Sequence, residues 1–378
     1  LYSAATSRNN GSVRTVNPNG NVTLSGGTGI FGDVFSTGNV TLTGGVGVAG
    51  TVHATGDVSI SGGAGAYTPH QIRGEIRSAG SVTAGSSGAI GGGITANGDI
   101  VFSSTPNVYG DVAAGGTIDF RNTATVHGSA MAGNQVIITN GNKTRTYVHG
   151  STANGSVPIP VLPVETETCD PIDIDAVVSG LAAQSPGTGV TIDNPIVRLT
   201  PAGVTTQQYG GDTPRTPAVT VTNATLLGTE VNLLKTGSFK VGWGGLTVSG
   251  GHTVLFVNGD FALEGSLQIE PGSSLTVVVN NGKVTTGWGI NMTNRSPVGD
   301  HGGPTFAVYS NHRSQRDSDY GVVLNGDGHI NMSVYAPHTN LHVSAGGEMY
   351  GAVRANRIHV SGAAKIHYDE ALGDLEMG

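Results

Sequence analysis

Apolar residues in the amino-terminal part of the chain recur two apart in short bursts, and the bursts themselves recur at a fixed interval. Coil starts fall at Gly20 (GNVTL), Gly38 (GNVTL), Gly56 (GDVSI), Gly80 (GSVTA), Gly98 (GDIVF), Gly116 (GTIDF) and Asn134 (NQVII), giving steps of 18, 18, 24, 18, 18 and 18 residues. A second column keeps the same step through Ile30, Val48, Ile72, Ile90, Val108, Val126 and Val148, each two residues before a glycine. The longer step, around Tyr67-Thr-Pro-His-Gln71, leaves both columns in register, as a loop inserted into a repeating scaffold does.

Period two is the strand signature, and three short strands between glycine corners make one turn of a triangular solenoid. One turn cannot bury its own apolar side chains; stacked turns can. Val22, Val40, Val58, Val82, Ile100, Ile118 and Val136 then form one inward ladder, beside a second of Leu24, Leu42, Ile60, Ala84, Phe102, Phe120 and Ile138. Ser36, Ala54, Ser78, Ala96, Ala114 and Ala132 make the third face narrow. Corner glycines are expected to supply positive φ and close approach between turns. The fold class expected is all-β, a parallel, triangular β-helix of 17–18 residues per coil. The absence of a strict hexapeptide spacing favours the right-handed form.

The predicted organisation is an arm over 1–10, a β-helix over 11–155, a connector over 156–236 and a second β-helix over 237–378. The connector opens on Val157-Pro-Ile-Pro-Val-Leu-Pro163 and carries the one predicted helix, Asp170–Gln184, expected to pack on a solenoid face or cap an open end. Strand signals return at Val254–Leu263, Ser266–Ile269 and Leu275–Val279. A 17-residue repeat then matches Leu341/Val343 to Ile358/Val360 and Met349 to Ile366.

Met332-Ser-Val-Tyr-Ala-Pro337, Gly351-Ala-Val-Arg-Ala-Asn356 and Ile366-His-Tyr-Asp-Glu-Ala-Leu372, in this order, carry a resemblance. The segment resembles the C-terminal β-helical domain of bacterial type IV pilus-associated surface proteins. That resemblance implies export and assembly at a bacterial surface. Such proteins often begin with a pilin-like hydrophobic helix, which this sequence lacks. The amino-terminal coils are similar to bactofilins, polymer-forming bacterial β-helices, whose exposed strand edges invite head-to-tail stacking.

Composition narrows the partners. Glycine supplies 62 of 378 residues without a collagen period, and only 12% are charged. The net charge of −8 and the lack of a basic stretch argue against nucleic acid. Cys169 is the sole cysteine, so no intrachain disulfide forms. No apolar run of membrane-spanning length occurs.

Candidate chemistry is sparse. Asp33, Asp57, Asp99 and Asp111 sit beside corner glycines, where aspartate favours turns. The run Gly62–Ala66 lacks the aspartate of calcium-binding nonapeptides. His342 and His359, one repeat apart, should stack, and His127 and His149 share a column with Tyr109 and Arg73. Each set reads as an exposed polar ladder rather than a metal centre, which needs further ligands. Acid, histidine and glycine combine at 298–303 and 325–329, in segments read as turns, with cation or glycan binding as the alternative. Sequons such as Asn21, Asn39, Asn142, Asn223, Asn291 and Asn331 arise partly from the GNVT corner itself.

No catalytic, cofactor-binding or metal residue is therefore assigned, and no cofactor is expected. The reading is a non-enzymatic extracellular structural protein, a self-assembling subunit of a bacterial surface filament or pilus-like fibre. Its expected partner is itself, head-to-tail or by strand addition from the segment beginning Leu1-Tyr-Ser, with surface glycans or other pilus components as further partners. Three alternatives stand beside it. One is a pilus-associated adhesin displaying loops 65–71, 295–320 and 325–329; another is a carbohydrate-active β-helix enzyme using Asp300 or Asp327; the last is an intracellular cytoskeletal scaffold.

Overall fold

The computed structural model describes residues 13–14, 20–25, 29–30, 32–62, 71–72, 74–138, 147–148, 150, 152–155, 172–184, 189–210, 213–287, 292, 296, 298–300, 302–325, 329–344, 348–360 and 364–367. The expected arm, the inserted segment around Tyr67, the run Val157–Pro163, Cys169, Arg73, His149 and Asp327 lie outside the described residues. The fold is all-β with one helix among the described residues, and its parallel coils stack into a β-solenoid of about 13 turns. It divides into two units, residues 1–168 with 360–363, and residues 169–359 with 364–378.

The amino-terminal unit has three parallel sheets, one per predicted face. The sequence ladders hold residue for residue: Val22 pairs with Val40, Val40 with Val58, Val58 with Val82, Val82 with Ile100, Ile100 with Ile118 and Ile118 with Val136. The same strands align Leu24, Leu42, Ile60, Ala84, Phe102, Phe120 and Ile138. Val58 and Val82 meet directly although 24 residues apart, so the extra residues leave the stack undisturbed. Inside, Phe102 and Phe120 stack with ring centroids 4.8 Å apart. Strands are short, two residues each in the sheet that carries Ile30 and Val148.

The narrow face aligns Ser36, Ala54, Ser78, Ala96, Ala114 and Ala132. Its serines do more than save space. Ser36 Oγ donates to Gly20 O at 2.7 Å, and Ser78 Oγ donates to Gly56 O at 2.7 Å, so each buried hydroxyl is satisfied by the coil before it.

The corner glycines correct one expectation. Gly56, Gly116 and Gly128 are absent from the positive-φ residues, whereas Gly44 (φ 74°) and Gly62 (φ 121°) are among them. What the corners require is room. A Cβ on Gly128 would lie 2.5 Å from Asp111 Oδ1 and 2.6 Å from Gly110 O of the preceding coil.

In the carboxy-terminal unit the expected connector is partly solenoid. Val190–Thr200 pairs in parallel with the long strand Thr229–Val248, and Thr220–Leu226 pairs with it antiparallel. Pro195, Pro201 and several glycines interrupt the alternation there, but Ile192, Val197 and Leu199 are buried as an inward face requires. Coils then stack Phe239 on Phe261, Phe261 on Val284 and Val284 on Val322. Met349 pairs with Ile366 as the 17-residue repeat predicts.

The helix α1, Ile174–Gln184, starts four residues later than the expected Asp170, because Asp173 caps it by accepting a 3.0 Å bond from the Ala176 amide. It packs on a solenoid face, one of its two expected roles. Ile174, Val178 and Leu181 cover Val254, Phe256, Val278, Tyr309 and Tyr335, and Tyr335 Oη donates to Ile172 O at 2.9 Å. This second apolar layer explains why His252–Val257 and Ser274–Val279 are buried on both sides.

Candidate functional site

The aspartates considered for chemistry are occupied by the scaffold. Asp33 Oδ1 accepts from the Thr51 amide at 2.7 Å, Asp57 Oδ1 from Ser81, Asp99 Oδ1 from Thr117 and Asp111 Oδ1 from Ser129, each at 2.7–2.8 Å. Asn21 and Asn39 bond the amides of Asn39 and Asp57 in the same way. Each corner side chain thus receives an amide from the next coil, where the strand ladder has stopped. The glycine one position before that amide leaves space for the carboxylate. Sequence reasoning took these residues as local turn formers; the pairing of Asx and glycine at one coil's spacing was the signal of an inter-coil clamp.

The histidines stack one repeat apart as expected, but half-buried rather than as an exposed ladder. His342 and His359 stack at 4.7 Å with planes 11° apart, Tyr320 tilts over His342 at 4.7 Å, and Tyr320 Oη lies 2.7 Å from His359 Nδ1. Burial, then the adjacent His359, hold His342 below the ordinary imidazole range; burial, then Arg357, do the same to His359. Both shifts favour the neutral ring. Asn356 Nδ2 donates to Asn340 Oδ1 at 2.8 Å, and Arg357 pairs with Asp317 at 2.7 Å.

Beside this ladder, Asp319 accepts from Lys283 Nζ at 2.8 Å and from the Gln315 amide at 3.0 Å, which lowers its carboxyl to about 2. His312 Nε2 stands 3.8 Å from the same carboxylate. Asn258, Asn280 and Asn311 form a further ladder, with Asn280 Nδ2 to Asn258 Oδ1 at 2.9 Å and Asn311 Nδ2 to Asn280 Oδ1 at 3.3 Å. Sequence reasoning missed it, although Asn258 and Asn280 lie one 22-residue coil apart.

Glu348 gathers a smaller group, His329 Nδ1 at 2.9 Å and Tyr350 Oη at 3.0 Å. In the amino-terminal unit Tyr109 and His127 stack at 4.6 Å with planes 3° apart. Asp300 is exposed at its turn, with Oδ2 3.5 Å from where a Cβ on Gly272 would sit. Asn331 is buried, so this sequon is closed to a glycan. No group of three or more His, Cys, Asp or Glu side chains that could hold a metal ion occurs among the described residues, and no described helix is long and apolar enough to cross a membrane. The corner aspartates bond backbone amides of the next coil, an arrangement that fixes coil spacing.

The class defined by this fold is a parallel β-solenoid with polar ladders along its corners. A family described as a domain of unknown function (DUF7305) matches residues 234–375, which holds the Tyr320, His342 and His359 ladder. No curated protein and no solved structure matches the chain.

Proposed function

We propose that the chain is a non-enzymatic, extracellular structural protein of a bacterium, a subunit that assembles with copies of itself into a surface filament or pilus-like fibre. The observation that carries this reading is the last described coil of the amino-terminal unit. Val136–Ile138 continues the inward ladder by pairing with Ile118–Phe120, yet Phe120 is fully buried and its partner position Ile138 is 47% exposed. Thr152–Asn154, the last described strand of the narrow face, is exposed throughout. A coil that exposes Ile138 of its inward ladder is complementary to a further strand layer from a second copy. The resemblance of residues 332–372 to pilus-associated surface proteins supports the surface location.

Purified chain is expected to form filaments in negative-stain images and concentration-dependent oligomers by sedimentation. Ile138→Lys, which places a charge on the uncovered ladder, is expected to return it to monomer with its thermal midpoint unchanged within about 2 °C, as befits an exposed position. A wild-type chain that stays monomeric at every concentration, or an Ile138→Lys variant that polymerises normally, contradicts the proposal.

A further inference from the structure

Five asparagines of Asn-x-Ser/Thr sequons fall among the described residues: Asn21, Asn39, Asn154, Asn223 and Asn331. The fold sorts them. Asn21 Oδ1 accepts the Asn39 amide at 2.7 Å, Asn39 Oδ1 the Asp57 amide at 2.8 Å and Asn154 Oδ1 the Val136 amide at 3.0 Å, so each of these carboxamides bridges two coils. Turning one of them out toward an enzyme would strip a backbone amide of its partner. Asn331 is buried, at 7% exposure.

Asn223 differs in each respect. It lies in the strand Thr220–Leu226, whose alternation sends Ala224 and Leu226 into the apolar cluster shared with α1 and leaves Asn223 and Thr225 exposed on the other face. The sequon Asn223-Ala-Thr225 thus presents its two recognition side chains side by side, anchored by the residue between them. Its neighbour across the hairpin, Asn232, is exposed as well. Among the described residues no hydrogen bond engages the Asn223 carboxamide.

The backbone is open at the same place. The Thr225 amide donates to Gln184 Oε1 at 2.7 Å, so it points away from the partner strand Thr229–Val248. Residues two apart on an antiparallel strand share that direction, which puts the Asn223 amide and carbonyl on the outer edge. No other described strand pairs with this edge. An enzyme can therefore grip the acceptor by its main chain as well as by its side chains.

We propose that Asn223 is an acceptor site for an N-linked glycan, taking an oligosaccharide from a polyprenyl-pyrophosphate donor after export. In the transfer Asn223 Nδ2 bonds to the anomeric carbon of the sugar and the bond from that carbon to the pyrophosphate oxygen breaks. The pyrophosphate leaves with the electron pair, and the Nδ2 proton passes to a base of the transferase. Thr225 supplies the hydroxyl of the sequon. The inference takes export from the reading above but not assembly, and it holds whether or not the chain polymerises.

Incubation of the intact folded chain with a single-subunit oligosaccharyltransferase that reads Asn-x-Ser/Thr, and with its lipid-linked donor, tests it. Short unstructured peptides spanning each of the five sequons serve as controls for what sequence alone permits. Peptide mass spectrometry is expected to find the glycan on Asn223 of the folded chain and none on Asn21, Asn39, Asn154 or Asn331, whereas the peptides of those four are modified. Asn223→Gln and Thr225→Ala are expected to lose the modification at this position, and Thr225→Ser to keep it, with melting curves unchanged. Refusal of Asn223 in the folded chain or in its peptide overturns the proposal, as does modification of Asn21 or Asn39 in the folded chain to the same extent. Sedimentation of the unmodified chain is read separately, so a failure of assembly leaves this result untouched.

Discussion

Replacing Phe120 with alanine will lower the stability of the fold by about 3–5 kcal/mol, the range for truncating a buried phenylalanine. Phe120 is fully buried, stacks on Phe102 at 4.8 Å, and sits in the ladder immediately before the uncovered Ile138. Three losses add at this site. The ring's transfer from water is lost, its offset contact with Phe102 is lost, and a void opens between coils whose backbones are fixed by their own hydrogen bonds. A solenoid cannot close that void by sliding, because each coil is locked in register with the next. Chemical denaturation of Phe120→Ala against wild type measures the effect. Phe120→Leu, which keeps most of the volume, is expected to cost less than half as much. Equal losses for the two variants would show that the ladder is not tightly packed there.

Gly128→Ala is expected to cost about 1–3 kcal/mol, the usual penalty for forcing atoms into a packed site. The added methyl would meet Asp111 Oδ1 and Gly110 O, so the corner clamp on the Ser129 amide must open or the coils must part. Gly180, inside α1 with nothing within 4 Å of its would-be Cβ, supplies the opposite sign. Gly180→Ala should stabilise by about 0.5–1 kcal/mol through helix propensity. Thermal melts of the two variants, read side by side, separate a steric role for the corner glycines from a general effect of removing glycine. A neutral Gly128→Ala would remove the clamp from the account.

The amino-terminal coils were legible because one coil is one repeat: the step of 18 residues places Val22, Val40 and Val58 on one ladder before any geometry is known. The insertion before Gly80 was legible for the same reason, since columns on both sides keep register. The start of the carboxy-terminal unit was not. Val190–Thr200 contains Pro195 and faces a strand with a three-residue bulge, so alternation fails at the place where the pairing is irregular. The function of the corner aspartates was hidden by distance along the chain. Asp99 and Thr117 are 18 residues apart and look like separate turns until the coils are stacked. His342 and His359 were placed on one ladder by the repeat, whereas their contact with Tyr320 depends on a coil of different length and carries no periodic mark.

Removing one whole winding tests the stacking itself. Deletion of residues 98–115, a single 18-residue repeat from one coil start to the position before the next, joins Asn97 to Gly116 and leaves Val82 over Ile118 and Ala84 over Phe120. The account predicts a folded protein with the β-sheet circular dichroism of the parent and a cooperative melt. Deletion of residues 98–106, half a winding, is predicted to collapse both, because every later strand then meets the wrong face. Equal tolerance of the two deletions, or unfolding on loss of the complete winding, would contradict a solenoid built from interchangeable, in-register coils.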